Sequence, residues 1–184
     1  MLRNKLNAFG SLSKLFHWLI ALLVGAQFYL VWAPDFITIS DTIKTQYVLL
    51  HKSFGISILV LSTLFILWRT VNIRPLLPAS QSFWKQILAK IVHYSLFILL
   101  LAMPILGYLM SVADGRAVRF FGLFELPNLV STNPKMADFY FQTHSTLGYV
   151  FLALIGLHVA AALHHHFILK DDVLKRMLPF IRKN

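Results

Sequence analysis

Four long apolar runs, separated by polar connections, set the pattern of this chain. Each run is long enough to cross the hydrocarbon layer of a membrane, about 30 Å thick, as a helix. The pattern predicts spans at about residues 15–32, 46–68, 87–110 and 138–169. We therefore predict an all-α fold, in which residues 1–184 form one membrane domain built as a four-helix bundle.

Aromatic residues and prolines mark the ends and bends of these runs. The first run ends at Trp32, an aromatic residue of the kind found at membrane interfaces. The helix breaker Pro34 and the charged Asp35 follow it. Trp68 ends the second run. Pro104 lies inside the third run, where a membrane helix tolerates a proline, and we expect it to bend that helix.

The connections differ in length and charge. The second one, residues 69–90, contains Arg74 and Pro78 and has no acidic residue. The third, residues 111–137, is longer than an ordinary helix connection. We expect this third connection to fold over the mouth of the bundle.

Charge predicts the orientation of the bundle in the membrane. An even number of spans puts both termini on one side. There the amino-terminal lead, the second connection and the tail carry twelve Lys and Arg, against five elsewhere. This excess predicts a multi-pass membrane protein with cytoplasmic termini. The net charge of +10 is concentrated at the ends of the runs, and that placement argues against nucleic-acid binding.

Composition narrows the chemistry. The chain has 58% hydrophobic residues and a mean hydropathy of +0.69, values outside the soluble globular range. It contains no cysteine, which excludes a covalently attached c-type haem, a cysteine-ligated iron–sulfur cluster and a disulfide framework. Histidine is then the obvious ligand for a metal or a haem. The first run lacks a small-residue cleavage site, and we expect it to be a retained span.

Two histidines stand on one face of the fourth span. His144 and His158 are fourteen residues apart, close to four helical turns. Both imidazoles therefore project from nearly the same face, roughly 21 Å apart along the axis. One histidine in an apolar helix is usually a hydrogen-bonded core residue. Two on one stripe indicate functional sites, because ionisable residues within a bilayer are costly.

The predicted topology gives each histidine a depth. His51 is near the start of the second span and so lies near the outer face with His144. His17 is in the first turns of the first span and so lies near the inner face with His158. We name His51 and His144 the outer pair, and His17 and His158 the inner pair. A haem iron needs two axial ligands, while a structural zinc needs four. Two pairs at two depths therefore favour two bis-histidine haem sites in the bundle core.

Four further histidines lie towards the inner face. His93 is at the depth of the inner pair, where it could be a ligand, hold a haem propionate or belong to a quinone or proton site; a structural role is an equal alternative. His165 lies seven residues beyond His158 on the same face and is the second candidate for a propionate or quinone site. The adjacent His164, His165 and His166 point in different directions, which disfavours a dedicated metal site and leaves their role open.

Glycine follows both ligands of the outer pair at i+4, as His51 with Gly55 and His144 with Gly148. A glycine at this position clears one turn of side chain below the imidazole. It would admit a flat macrocycle or a neighbouring helix. Coincidence is the alternative, because glycine is common in membrane helices.

Five stretches of the chain resemble a known family. They are LFHWLIALL, LHKSFGISILVL, HYSLFILLLAMPILGYLM, MSVADGRAVRFFGLFELP and THSTLGYVFLALIGLHVAAALHHHF. In this order, over nearly the whole chain, they look like the bacterial cytochrome b561 family of four-helix dihaem membrane proteins. The resemblance implies that His17 with His158 and His51 with His144 hold two haem b groups. Depth alone predicts the same pairs.

Within that family the sequence is similar to the superoxide oxidases, which implies electron transfer from superoxide at the periplasmic face to a quinone in the membrane. Ubiquinone is the expected acceptor, with menaquinone as the alternative. The family also includes cytochrome b subunits that serve a dehydrogenase or hydrogenase partner, and fold-level similarity does not choose between these functions. A histidine-rich metal carrier is disfavoured because the interior of the spans holds no carboxylate. A homodimer is compatible with the sequence.

The superoxide hypothesis gives roles to residues outside the pairs. Four cations on or near the outer face are candidates to steer the anion: Lys52, Arg116, Arg119 and Lys135. Ordinary solvated charges, offset by acidic neighbours, are the alternative interpretation. Trp84 and Lys85 join His93 and His165 at the predicted quinone and proton side, on the basis of depth alone.

Overall fold

Four long helices make up most of the chain. The computed structural model describes residues 2–73, 75 and 82–179. Its long helices are α1 (Ser11–Phe36), α2 (Asp41–Thr70), α3 (Phe83–Ala113) and α4 (Pro134–Phe167). Each is long and apolar enough to cross a membrane, so the predicted four-helix membrane fold is confirmed. Arg74 and Pro78 of the cationic second connection, and Arg182 and Lys183 of the basic tail, lie outside the described residues.

Polar caps start two of the helices several residues before the predicted spans. The Ser40 hydroxyl accepts a hydrogen bond from the Ile43 N–H at 3.4 Å, at the start of α2. The Asn133 side chain accepts from the Met136 N–H at 3.2 Å, and Pro134 occupies the first position of α4. These residues satisfy N–H groups that have no partner inside the helix, and so allow the helices to begin outside the apolar runs.

The prediction that the first helix ends at Trp32 is wrong. α1 continues through Pro34 to Phe36, and the Ile37 N–H closes its last turn on the Ala33 carbonyl at 3.0 Å. Proline lacks only its own N–H. A membrane helix can therefore pass through it, leaving one carbonyl of the preceding turn without its usual donor.

Pro104 lies inside α3, and α2 supplies a replacement donor beside it. The proline ring removes the N–H that would bond the Leu100 carbonyl four residues earlier. The Ser62 hydroxyl of α2, which is fully buried, lies 3.5 Å from that carbonyl and 3.2 Å from the carbonyl of Leu59. A polar side chain on the neighbouring helix thus compensates for the proline.

Backbone packing joins α1 to α2, α2 to α3 and α3 to α4. α1 and α4 meet through side-chain rings. The ring centroids of Phe28 and Phe151 are 6.3 Å apart, and those of Trp32 and Tyr149 are 6.5 Å apart. The bundle is therefore held less tightly along the seam between its first and last helices.

A small apolar core fills the middle of the bundle. Its buried members are Ile20, Val24, Ile58, Leu99 and Phe151. Phe151 lies seven residues, about two turns, from both histidines of α4. The core therefore occupies the layer between the depths of the two histidine pairs.

The third connection folds back on α2 through a small antiparallel hairpin. Its strands are β1 (Arg119–Phe120) and β2 (Phe124–Glu125). The Ser53 hydroxyl of α2, fully buried, accepts a hydrogen bond from the Phe121 N–H at 2.8 Å. The turn has positive φ at both Phe121 (+49°) and Gly122 (+75°). Sequence did not predict this hairpin, because two-residue strands show no alternation and phenylalanine rarely adopts positive φ.

A short helix, α5 (Val173–Met177), follows α4 and lies against the N-terminal part of α1. The Trp18 indole N–H donates to the Met177 carbonyl at 2.9 Å. The Lys14 ammonium donates to the Leu178 carbonyl at 2.7 Å. The segment after the fourth span is thus packed against the bundle.

Candidate functional site

The outer pair brings α2 and α4 together. The ring centroids of His51 and His144 lie 6.2 Å apart, with the planes inclined at 76°. Nδ1 of His144 lies 3.0 Å from the Met103 carbonyl oxygen of α3. Because a carbonyl only accepts, this contact places the imidazole proton on Nδ1 and leaves the Nε2 lone pair for a metal.

Gly107 of α3 makes that contact possible. A Cβ at this position would stand 3.1 Å from Cε1 and 3.4 Å from Nδ1 of His144. Met103 is four residues before Gly107, and the Cα–Cβ bonds of a helix lean towards its N-terminus. A side chain at position 107 would therefore cover the Met103 carbonyl. The sequence pattern pointed to Gly148 instead, where a Cβ would be in ordinary contact, 3.7 Å from Cε of Met103.

The inner pair joins α1 and α4, and α3 adds a third histidine. The ring centroids of His17 and His158 lie 6.2 Å apart, with the planes inclined at 58°. His93 lies edge-on to His158, with 5.2 Å between the centroids. The structure thus groups His93 with the inner pair, as its depth in the sequence predicted.

Both pair separations fit a metal ion held between two imidazoles. With about 2 Å from metal to nitrogen and about 1 Å from nitrogen to ring centre on each side, two such rings have centroids roughly 6 Å apart. A haem iron receives its other four ligands from the porphyrin, so two imidazoles complete it. The histidines therefore fit two bis-imidazole iron centres, separated by the apolar core around Phe151.

Of the four steering candidates, Lys52 is nearest in sequence to a predicted haem ligand, because it directly follows His51. Its ammonium donates to the Ala117 carbonyl of the third connection at 3.3 Å. Lys135 is exposed in the first turn of α4. These two lysines are on two different helices, α2 and α4, at the end of the bundle that contains the outer pair.

The two arginine candidates are paired with carboxylates. Nε of Arg116 lies 2.5 Å from a carboxylate oxygen of Asp114, and Nε of Arg119 lies 3.4 Å from one of Glu125. The second pair spans the two strands of the hairpin. The acidic neighbours noted in the sequence therefore offset part of the positive charge at this face.

His165 is held by Asp171, a partner that the sequence did not predict. Its Nδ1 lies 2.5 Å from a carboxylate oxygen of Asp171, and the two side chains are 17% and 20% exposed. The chain reverses at Lys170, which has a φ of +52°. Burial alone would raise the pKa of Asp171, but the Val173 N–H and the His165 imidazole outweigh it and hold that pKa below its usual range.

Asp171→Asn should lower the stability of the protein and flatten its dependence on pH. A carboxyl with a lowered folded pKa stabilises the fold above its ordinary value of 3.8, and this stabilisation is lost as the pH falls through the folded pKa. At pH 7 we expect the melting temperature in detergent to fall by about 2–4 °C. This fall corresponds to a loss of roughly 1 kcal/mol in the free energy of unfolding for a chain of this length. Thermal unfolding scans from pH 7 to about pH 3 measure both effects.

The control for this experiment is Asp41→Asn, because the Asp41 side chain is 99% exposed. It should leave the melting temperature near that of the unmodified chain. If Asp171→Asn has the same melting temperature and the same pH slope as the unmodified chain, the pair with His165 contributes nothing to stability.

The roles of the remaining candidates for the quinone and proton side stay predictions based on their depth alone. Trp84 and Lys85 are exposed at the start of α3. His166 has a buried Nδ1 for which the described part of the chain offers no hydrogen-bond partner, and His164 is exposed. Within the described ranges, no three or more histidine and acidic side chains are arranged to hold a metal ion.

Four membrane-crossing helices with two stacked histidine pairs in their core define a membrane electron-transfer protein of the cytochrome b type. The family model for prokaryotic cytochrome b561 matches residues 8–180. The chain belongs to the prokaryotic cytochrome b561 family. It is accordingly a multi-pass protein of the inner membrane, and membership implies haem b as its cofactor.

Three curated relatives are similar over most of their length. Cytochrome b561 homolog 2 of Escherichia coli (strain K12) is 37% identical over 178 residues, which cover 95% of this chain and 93% of the relative. Probable superoxide oxidase CybB of Yersinia pestis is 33% identical over 163 residues, which cover 89% of this chain and 91% of the relative. Cytochrome b561 homolog 1 of Escherichia coli (strain K12) is 29% identical over 183 residues, which cover 95% of this chain and 98% of the relative. The family predicted from the sequence is thus confirmed.

Proposed function

We propose that this chain oxidises superoxide at the periplasmic face of the inner membrane and reduces a quinone, ubiquinone in our assignment, within the membrane. Two superoxide anions each lose one electron and become dioxygen. One quinone takes up the two electrons and two protons and becomes a quinol. The observation that carries the proposal is the cation Lys52, which follows the outer ligand His51 and reaches the third connection above it.

The two histidine pairs would hold two haem b groups. Bound haem supplies a one-electron carrier that amino-acid side chains lack. The chain itself contributes four imidazoles, the Met103 carbonyl that orients His144, and the apolar layer around Phe151. That layer keeps water out of the space between the two depths, where a low dielectric strengthens every charge interaction.

The inner face would provide the protons. With cytoplasmic termini, His93 beside the inner pair and His165 against Asp171 lie towards the cytoplasm. Both imidazoles carry exchangeable protons, and histidine is the side chain suited to move a proton near neutral pH. We assign them to the quinone and proton side of the proposed reaction.

The outer cations would act on the encounter with superoxide rather than on its oxidation. A positive surface raises the association rate of a small anion, and salt weakens that effect. Lys52 and Lys135 add positive charge at this end of the bundle, whereas Asp114 and Glu125 offset the charges of Arg116 and Arg119. The steering field should therefore increase when those carboxylates are neutralised.

The test mixes the purified haem-loaded protein with enzymatically generated superoxide and a short-chain quinone. We expect reduction of the b-type absorption at a rate constant on the order of 10⁸ M⁻¹s⁻¹ that falls with ionic strength, together with formation of quinol. Asp114→Asn and Glu125→Gln should each raise the rate about twofold at low salt and have little effect at high salt. Asp172→Asn, at the inner end, is the matched control and should leave the rate unchanged.

The second candidate function is an electron-carrying subunit for a dehydrogenase or hydrogenase partner. One feature favours it: the hairpin exposes Leu123 and Phe124, which are 79% and 58% accessible. Exposed apolar residues on an outer loop are typical of a contact surface. If superoxide does not reduce a protein that dithionite reduces fully, this second function replaces the first.

A further inference from the structure

Gln27 is a polar side chain within α1, an apolar membrane helix. Its Nε2 donates a hydrogen bond to the backbone carbonyl of His51 at 2.9 Å. Its Oε1 is buried, and no residue in the described part of the chain bonds to it. An unsatisfied polar atom inside a bilayer is costly, because no water is there to bond it, so a half-satisfied amide indicates a further contact.

His51 has the matching deficit. Its Nδ1 is buried and, among the described residues, has no hydrogen-bond partner, whereas Nδ1 of His144 lies 3.0 Å from the Met103 carbonyl. An imidazole that binds a metal through Nε2 carries its proton on Nδ1 and almost always donates it to a carbonyl, a carboxylate or water. His51 therefore needs an acceptor, and the Gln27 side chain bonded to the same residue carries an acceptor that needs a donor.

Gly55 keeps open the space that Gln27 occupies. A Cβ at this position would stand 3.3 Å from Nε2 of Gln27 and 4.0 Å from Cβ of Pro104. Since helical Cβ atoms lean towards the N-terminus, that side chain would also cover the His51 carbonyl four residues earlier. Gly55 thus serves Gln27 as Gly107 serves His144: each glycine opens a helix carbonyl to a side chain from a neighbouring helix.

We propose that Gln27 is a positioning residue for the outer pair. Its Nε2 fixes the turn of α2 that carries His51, and its Oε1 accepts the Nδ1 proton of His51 when Nε2 binds iron. The inference rests on the proposed bis-histidine ligation. An acceptor at Nδ1 raises the basicity of the imidazole, which favours the more positive, oxidised iron. Gln27 therefore lowers the reduction potential of the outer centre.

The test is a spectroscopic redox titration of the purified haem-loaded protein. Gln27→Leu should favour reduction of one of the two centres about tenfold, which is about 59 mV for a one-electron couple, and leave the other centre unchanged. Gln27→Glu keeps an acceptor and should leave that potential equal to or below the unmodified value. Gln142→Leu is the matched control. Gln142 is also a glutamine at the end of the bundle that contains the outer pair, but its side chain is exposed, so the substitution should change neither potential.

Each outcome bears on one hypothesis only. If Gln27→Leu binds two haems and both potentials are unchanged, the role of Gln27 is refuted while the ligation stands. If the unmodified protein contains no haem by extraction and assay, the proposed ligation itself is refuted. Should Gln27→Leu fail to fold, Gln27→Glu decides, because a potential above the unmodified value would refute the role of Gln27 and an equal or lower one would support it.

Discussion

We expect His51→Ala to bind one haem, where the proposed ligation gives two, and to retain the inner centre. Among the described residues, His51 and His144 are the one pair of facing histidine rings in the outer half of the bundle, with ring centroids 6.2 Å apart. Without the His51 imidazole, His144 alone would hold the outer haem, which would then bind more weakly. The inner pair is about four turns away along α4 and lies beyond the apolar core, so it should be unaffected.

Haem extraction against protein concentration measures the result directly, and the expected ratio falls by about half. His17→Ala should give the reciprocal protein, with the outer centre retained. His164→Ala is the control, because His164 is exposed, and it should keep both haems. Added imidazole should restore part of the second haem in His51→Ala by occupying the space of the missing ring. Retention of two haems in His51→Ala without added imidazole would rule out the proposed pairing.

The grouping of the histidines could be predicted from the sequence because it depends only on chain order and helix rise. Four spans alternate in direction, and each residue adds a fixed length along the axis. These two facts give each histidine its depth, and the structure has 6.2 Å between the rings of each predicted pair. The four-helix fold followed for the same reason, since a bilayer permits few alternatives to long helices.

Contacts that depend on the rotation of one helix against another could not be predicted. The Met103 carbonyl that accepts from His144 lies on a third helix, forty-one residues away in the chain. Gln27 lies in a run of apolar residues with no motif around it, and only packing brings it to the His51 carbonyl. Periodicity gives the face of a helix, but it does not say which neighbour that face meets.

Two local reversals of the backbone account for the other features of the structure that the sequence did not predict. Lys170 and Phe121 both adopt positive φ, a conformation that sequence analysis expects of glycine. The first reversal brings Asp171 back to His165, and the second turns the hairpin over α2. The sequence therefore did not predict the half-buried contact between His165 and Asp171 after α4, or the arginine–carboxylate pair across the two strands.

Gly107→Ala should disturb the outer centre without changing either of its ligands. The added methyl group would stand 3.1 Å from Cε1 of His144, closer than carbon atoms normally approach. The imidazole cannot retreat freely, because its Nδ1 is hydrogen-bonded to the Met103 carbonyl at 3.0 Å. Either that hydrogen bond or the position of Nε2 must change. Loss of such a supporting contact typically weakens a metal site 10- to 100-fold, and we expect about a tenfold loss of affinity for the outer haem.

Gly156→Ala on α4 is the matched control, since a Cβ there would meet nothing within 4 Å. Replacing a helical glycine by alanine is otherwise favourable by about 0.5–1 kcal/mol, so this control should keep both haems and melt at a slightly higher temperature. Haem transfer to an excess of apomyoglobin measures the loss from each variant. Rapid release of one haem from Gly107→Ala, with the other released as in the control, is the expected pattern. If both variants release haem at the unmodified rate, the His144 ring has room to move, and Gly107 is not needed to place it.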